Sequence, residues 1–266
     1  MPLTSFQRRL ALLLAANRSV DSHLAGGAAL HFSPNSTRFS NDLDYFHDSI
    51  ERVASAFASD QQLLEANGYR VVIDMIQPGF ARASVQSEAG ATKVEWAHDS
   101  AWRFMPVVQD AECGYRLHDV DVAINKVLAL AGRNEARDLV DVHVIDRELL
   151  PLGALCWAAA GKDPGFSPQS LVELLRRRGR HQPEEFRRLH VVEPVDLVAL
   201  KAWWLAALEA ANTFIQSRPA SEFGCLYFSH NTRRFVAPGR DAVVGTETPI
   251  VAHYGRLGGV LPRVLA

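Results

Sequence analysis

Apolar and polar positions follow two different rhythms along this chain, and the change of rhythm divides it. Up to about residue 115, strand-like alternation is interleaved with helical spacing; from Val120 onward the spacing is helical. A helix to about Asn17 comes first, then a short strand over 23–25 that runs into Gly26-Gly27 and a helix through His31. Residues 37–46 predict a strand, and 49–67 a helix ended by Gly68. Val71, Val72, Ile73 and Ile76 mark a strand over 69–77, which Pro78-Gly79 turns into a second over 80–87; a third is expected over 92–97. This first part reads as a mixed layer of strands with helices on one face.

Helices are then predicted over 120–131, 135–149, 152–160 and 167–178, the last behind a serine N-cap, followed by a long one over 195–216. The end of the chain returns to strands and turns. Residues 224–229 and 233–237 predict a hairpin across His230-Asn231-Thr232. The expected organisation is an α/β core over 1–115, a helical domain over 116–220 and a strand-and-turn extension over 221–266, an α+β chain.

Composition narrows the function classes. With 28 Lys and Arg against 30 Asp and Glu the net charge is only −2, so no global field recruits nucleic acid or membrane, and any such contact must come from a local patch. Cys113, Cys156 and Cys225 are odd in number, far apart and without metal-ligand spacing, which predicts reduced core thiols and a cytoplasmic protein. The apolar stretch from Leu10 to Ala16 follows Arg8-Arg9 but is short and runs into Asn17-Arg18-Ser19; it reads as an amphipathic first helix rather than a signal peptide. No apolar run approaches the roughly 20 residues needed to span a bilayer.

The chemistry concentrates near the N-terminus. Gly26-Gly27-Ala28-Ala29-Leu30 is followed by Ser40-Asn41-Asp42-Leu43-Asp44-Tyr45-Phe46. Side chains alternate along a strand, so Asp42 and Asp44 point the same way with Leu43 behind them. Two carboxylates beside a glycine-exposed backbone and a helix start offer a place for a divalent cation on one side and phosphate on the other. Paired acids also occur in turns and at helix starts, where they bind nothing. A two-metal centre usually takes a third carboxylate from a neighbouring strand. Glu95, in Thr92-Lys93-Val94-Glu95-Trp96, is the candidate, with a solvent-facing edge-strand position as its alternative; Asp74 is a second candidate.

Another cluster lies in the helical part: Lys126 interrupts the apolar run 123–130, and Arg133, Glu135, Arg137, Asp138 and Asp141 follow. A buried lysine needs a counter-charge, which a triphosphate would supply. Asp138 and Asp141 share a helix face and could instead pair with Lys126, Arg133 or Arg137 in a network tying two helices together.

Gly-Gly-x-Ala-Leu, Ser-x-Asp-Leu-Asp, the lysine of an apolar Lys-x-x-Ala-Leu helix, and Arg-Asp-x-x-Asp, in this order, resemble the AbiEii/AbiGii-type nucleotidyltransferases. These are toxin components of type IV toxin–antitoxin and phage-abortive-infection systems, related to the MenT toxins within the polymerase-β-like superfamily. The match covers roughly residues 20 to 145. The resemblance implies a polymerase-β-like nucleotidyltransferase core (a mixed sheet with helices), a helical C-terminal part and a small terminal hairpin. It also implies Mg²⁺-dependent nucleotide transfer, with Mn²⁺ as an alternative metal, and tRNA or another RNA as acceptor, as in characterised relatives. Carried onto this chain, Asp42 and Asp44 would hold the metal, with Glu95 as the third ligand proposed from its strand. Gly26, Gly27, Ser40, Lys126, Arg137 and Asp138 would contact the nucleotide, and Asp42, Asp44, Lys126 and Asp141 would form the catalytic set. Ala28 departs from the pattern, since many superfamily members carry Ser or Thr there.

Arg176-Arg177-Arg178-Gly179-Arg180-His181, then Arg187-Arg188, is the one dense basic run, read either as a solvated helix end or as an RNA contact. Trp203 and Trp204, being adjacent, face different ways, and His118, His143 and His190 have no metal spacing. The expected function is nucleotide transfer from a nucleoside triphosphate, with a cognate antitoxin as a further partner and no membrane. The alternatives are a small-molecule or protein acceptor, or nucleotide binding without turnover.

Overall fold

The computed structural model describes residues 3–32, 36–245 and 248–263. They form two compact units, Met1–Val122 with His190–Glu193 and Leu257–Gly259, and Ala123–Leu189 with Pro194–Arg256 and Val260–Ala266.

In the first unit, α1 (Ser5–Leu14) starts at a capping box: the Gln7 N–H donates to Thr4 Oγ1 at 3.1 Å and the Thr4 N–H to Gln7 Oε1 at 2.9 Å. Strand β1 (Ser22–Ala25) leads directly into α2 (Gly26–Leu30), and β2 (Asp42–His47) into α3 (Ile50–Ala66), capped by Ser49. A meander follows, β3 (Arg70–Gln77), β4 (Phe80–Ser87) and β5 (Gly90–His98), then the short β6 (Trp102–Arg103), β7 (Val108–Asp110) and β8 (Gly114–Arg116). Seven strands make one mixed sheet in the order β3-β4-β5-β2-β1-β8-β7, with β2 parallel to β5 and β1 parallel to β8.

Alternation gives this sheet two faces. Leu43, Tyr45, Val94 and Trp96 are buried with Ala81, Ala83 and Val85, packed with Phe6 and Leu10 of α1 and Val53, Phe57 and Leu64 of α3. Inside that layer the fully buried Arg18 and Asp60 pair at 2.5 Å, Trp96 Nε1–H donates to Asp60 at 2.6 Å, and the guanidinium lies 4.4 Å over the Tyr45 ring. The opposite face carries Asp42 and Asp44. Two later segments return to this unit: the Phe39 N–H donates to the His190 carbonyl at 2.9 Å, and the Gly258 N–H to that of Ala101 at 2.8 Å.

The division between units falls inside α4 (Asp119–Arg133). The second unit continues with α5 (Ala136–Glu148), α6 (Leu152–Lys162), α7 (Pro168–Arg178), α8 (Pro183–Arg187) and α9 (Leu197–Ser217), then β9 (Leu226–Ser229), β10 (Arg234–Val236) and β11 (Ile250–His253); the two-residue β12 (Arg256–Leu257) falls at the return of the chain to the first unit. Helix α6 is buried from Leu152 to Ala160, which its run of Leu, Ala, Cys and Trp explains. The expected hairpin, β9 with β10, is present, and β11 adds a third strand on the other side of β9.

The β7–β8 hairpin, α8 and β11 were not expected from the sequence. Three- to five-residue elements hold too few positions for a periodicity to register, and contacts distant in sequence form them. Cys113, Cys156 and Cys225 are buried free thiols, matching the core role expected of them. Among the described residues no helix is long and apolar enough to cross a membrane.

Candidate active site

Strand β2 presents Asp42, Asp44 and Phe46 half-buried on one face, while Leu43, Tyr45 and His47 are buried on the other. Register extends this face across three strands: Asp42 lies beside Lys93 and Ser84, and Asp44 beside Glu95 and Arg82. Paired residues on adjacent strands point to the same side, so Asp44 and Glu95 are neighbours above the sheet.

The glycine pair holds Asp44 in place. Gly26 takes φ +58°, a left-handed conformation that glycine enters without a steric penalty, and a Cβ built on it would lie 2.0 Å from Asp44 Oδ2. The same oxygen accepts the Gly27 N–H at 3.3 Å. A side chain at position 26 would occupy the volume that the carboxylate now fills, so this glycine is required by close approach as well as by φ. Ser40 is buried and its hydroxyl donates to the Asp42 carbonyl at 3.0 Å and to Asp42 Oδ1 at 3.4 Å. Its own carbonyl is held by Gln7 Nε2 at 3.0 Å, and that amide also donates to Thr92 Oγ1 at 3.2 Å. Helix α1 and strand β5 thereby fix the segment that delivers Asp42.

Glu95 is engaged by Arg82, with Nε and Nη2 each 2.7 Å from Oε1. Asp74 is exposed on edge strand β3, at the register shift between Ile73 and Met75, with Ser84 donating to it at 3.0 Å. With β4 and β5 between β3 and β2, Asp74 is remote in the sheet order from Asp42 and Asp44, whereas Glu95 is adjacent. Among the described residues no three His, Cys, Asp or Glu side chains are gathered closely enough to hold a metal ion as they stand. Arg82 is the site-face residue that the sequence reading missed. The signal was available, since Ala81, Ala83 and Val85 are buried and the residues between them are not, but the cross-strand register was needed to use it.

In the second unit Lys126, Asp138 and Asp141 come together. Lys126 Nζ is 2.8 Å from Asp141 and 3.3 Å from Asp138, and all three side chains are buried. Arg133 adds a two-pronged contact to Asp138 at 2.8 and 2.9 Å. Burial pushes the Asp138 carboxyl up, but the Arg133 hydrogen bond and the Lys126 and Arg133 charges outweigh it and hold the group below the usual carboxylate range. The counter-charge of the buried lysine is supplied from within the chain. Arg137 pairs with Glu135 at 2.5 Å.

Arg176, Arg177 and Arg178 form the last turn of α7, where cations suit the helix dipole. Trp204 is buried, and half-buried Trp203 donates from Nε1 to Asp146 at 2.8 Å.

No protein-family model matches the chain, and no curated protein matches it. Solved structures do. MenT4, a nucleotidyltransferase toxin from Mycobacterium tuberculosis H37Rv, is similar with a TM-score of 0.54 and 18% identity, over 81% of this chain and 83% of that one. JHP933 from Helicobacter pylori is similar with a TM-score of 0.51 and 16% identity, over 79% of this chain and 91% of that one. At such identity the likeness is one of fold, and the α+β nucleotidyltransferase fold that the resemblance implied is the fold of this chain.

Proposed function

We propose that this chain is a metal-dependent nucleotidyltransferase, moving a nucleoside monophosphate from a nucleoside triphosphate to an acceptor hydroxyl on tRNA or another RNA. The observation that carries the reading is the Asp44 carboxylate seated over Gly26 and Gly27, in register with Glu95 and on the same face as Asp42. Gly26, with positive φ and no side chain, makes room for the Asp44 carboxylate at the start of α2, where backbone N–H groups can meet a phosphate.

The donor set fits a small hard divalent cation: carboxylate oxygens from Asp42 and Asp44, with Glu95 adjacent once it turns from Arg82. Mg²⁺, or Mn²⁺, would neutralise phosphate charge and stabilise departing pyrophosphate when bound. The chain's own residues do the rest. Ser40 orients Asp42, the Gly27 N–H orients Asp44, and the bare Gly26-Gly27 backbone lets phosphate oxygens approach. Arg82 offers a cation on the same face for developing charge. Lys126, whose charge Asp138 and Asp141 already meet, has the part of holding the helices of its own unit together in this proposal. Toxin activity belongs to the same proposal, supported by the fold shared with MenT4, a nucleotidyltransferase toxin; the AbiEii type, a cognate antitoxin and a cytoplasmic location are its further expectations.

The test incubates the protein with total tRNA, Mg²⁺ and each α-³²P nucleoside triphosphate, beside Asp44→Ala. Label on tRNA that disappears in the variant is the expected result. Label on a small molecule or on protein instead would reassign the acceptor. A second reading, nucleotide binding without turnover, is favoured by one observation, the engagement of Glu95 by Arg82. Tight triphosphate binding with no pyrophosphate release would identify it.

A further inference from the structure

The second unit contains a cavity of about 660 Å³ among α5, α7, α8 and α9, none of whose lining residues belongs to the candidate active site. Its size is that of a small-molecule site. The wall is apolar, built from Leu139, Phe186, Leu200, Trp204 and Leu208. Its rim is cationic, with Arg176 from the last turn of α7, Arg180 just beyond that helix and Lys201 from α9, all three exposed.

His181 is among the lining residues, with its side chain only 1% exposed and its Nδ1 3.5 Å from Glu185 Oε1. Gly179 lets Trp204 form the wall, since a Cβ there would lie 1.9 Å from the indole nitrogen.

We propose that this cavity binds a small amphipathic organic anion, its apolar body against Trp204, Phe186 and the leucines, and its carboxylate or phosphate head at Arg176, Arg180 and Lys201. Charge complementarity selects an anion, because no basic rim is needed to hold a neutral apolar molecule. The leucine-rich interior selects an apolar body over a nucleic-acid backbone, which carries a charge at every residue and requires an open cationic surface. The body is aliphatic or aromatic, and the two sources share the same recognition chemistry.

The probe is 8-anilinonaphthalene-1-sulfonate, titrated by fluorescence into the full chain. One saturable site per chain is expected, displaced by dodecanoate if the body is aliphatic or by naphthalene-2-sulfonate if it is aromatic. The variant Arg176→Glu/Arg180→Glu/Lys201→Glu should bind the probe at least tenfold more weakly. The control Arg177→Glu/Arg178→Glu/Arg188→Glu changes net charge equally at residues that do not line the cavity, and should bind within twofold of the parent. Circular dichroism of each variant checks that it folds. Equal loss in both triple variants, no loss in the first, or no saturable site in the parent would overturn the assignment. Displacement of the probe by tRNA, or by ATP with Mg²⁺, would overturn it too, by returning the basic run to nucleic acid or the cavity to the nucleotide site.

Discussion

The two units use the same residue types, acids and bases a few positions apart, to opposite ends. On the sheet of the first unit Asp42, Asp44, Glu95 and Arg82 stay partly exposed, each placed by strand register and held by a backbone N–H, a hydroxyl or a neighbouring charge. In the second unit Lys126, Asp138 and Asp141 are buried and satisfy one another, with Arg133 closing the group. The difference lies in desolvation. A half-exposed carboxylate can exchange its partners for a cation at small cost, whereas a buried ion pair that loses one member leaves a charge in a low-dielectric interior. The first arrangement is suited to binding and the second to fixing how helices meet.

Four experiments break or sharpen that contrast. The largest effect is expected from Asp44→Ala, which should lower nucleotide transfer by about 10³-fold while the unfolding midpoint in urea stays close to that of the parent. Lys126→Met should do the reverse in kind, lowering unfolding free energy by about 3–5 kcal/mol with an unchanged denaturant slope. A loss in Lys126→Met that is confined to activity would mean that the network is chiefly functional.

Gly26→Ala joins the two effects. It forces φ +58° on an L-residue and drives a methyl group into Asp44 Oδ2. It should cost about 1–2 kcal/mol of stability and, by displacing the carboxylate, about 100-fold in transfer, both measured on the same preparation. Parent-like transfer would dissociate the glycine from the acid.

The smallest effect concerns the buried side of β2. Burial, then the nearby Arg18 and Arg52 charges, lowers the His47 pKa to about 3, against an ordinary 6.5. The native state therefore binds a proton less readily than the unfolded chain, so this histidine's contribution is intact above pH 6.5 and is lost as pH falls toward 3. His143, also held low by burial and by Arg147, acts in the same direction in the second unit. Unfolding free energy measured between pH 6.5 and 4.5 should decline, and His47→Leu should flatten most of that slope.

Much of this was legible in the sequence because local physics decides it. The alternation through Asp42-Leu43-Asp44-Tyr45 fixes which side chains share a face, the glycine pair marks a backbone that must be approached, and the apolar spacing gives α3, α6 and α9 nearly to their ends. Long elements average out local ambiguity; β7, β8, α8 and β11 are too short to do so. What only tertiary structure could decide is which residues from distant segments meet. Register across β2, β5 and β4 chose Glu95 over Asp74 as the neighbour of Asp44 and brought in Arg82. Helix packing supplied Lys126 with carboxylates of its own, and the meeting of α7 with α9 enclosed a cavity beneath the basic run. A sequence specifies what each side chain can do and the periods at which it repeats. Partners, burial and the resulting cost of a charge are properties of the folded volume, and no spacing along the chain contains them.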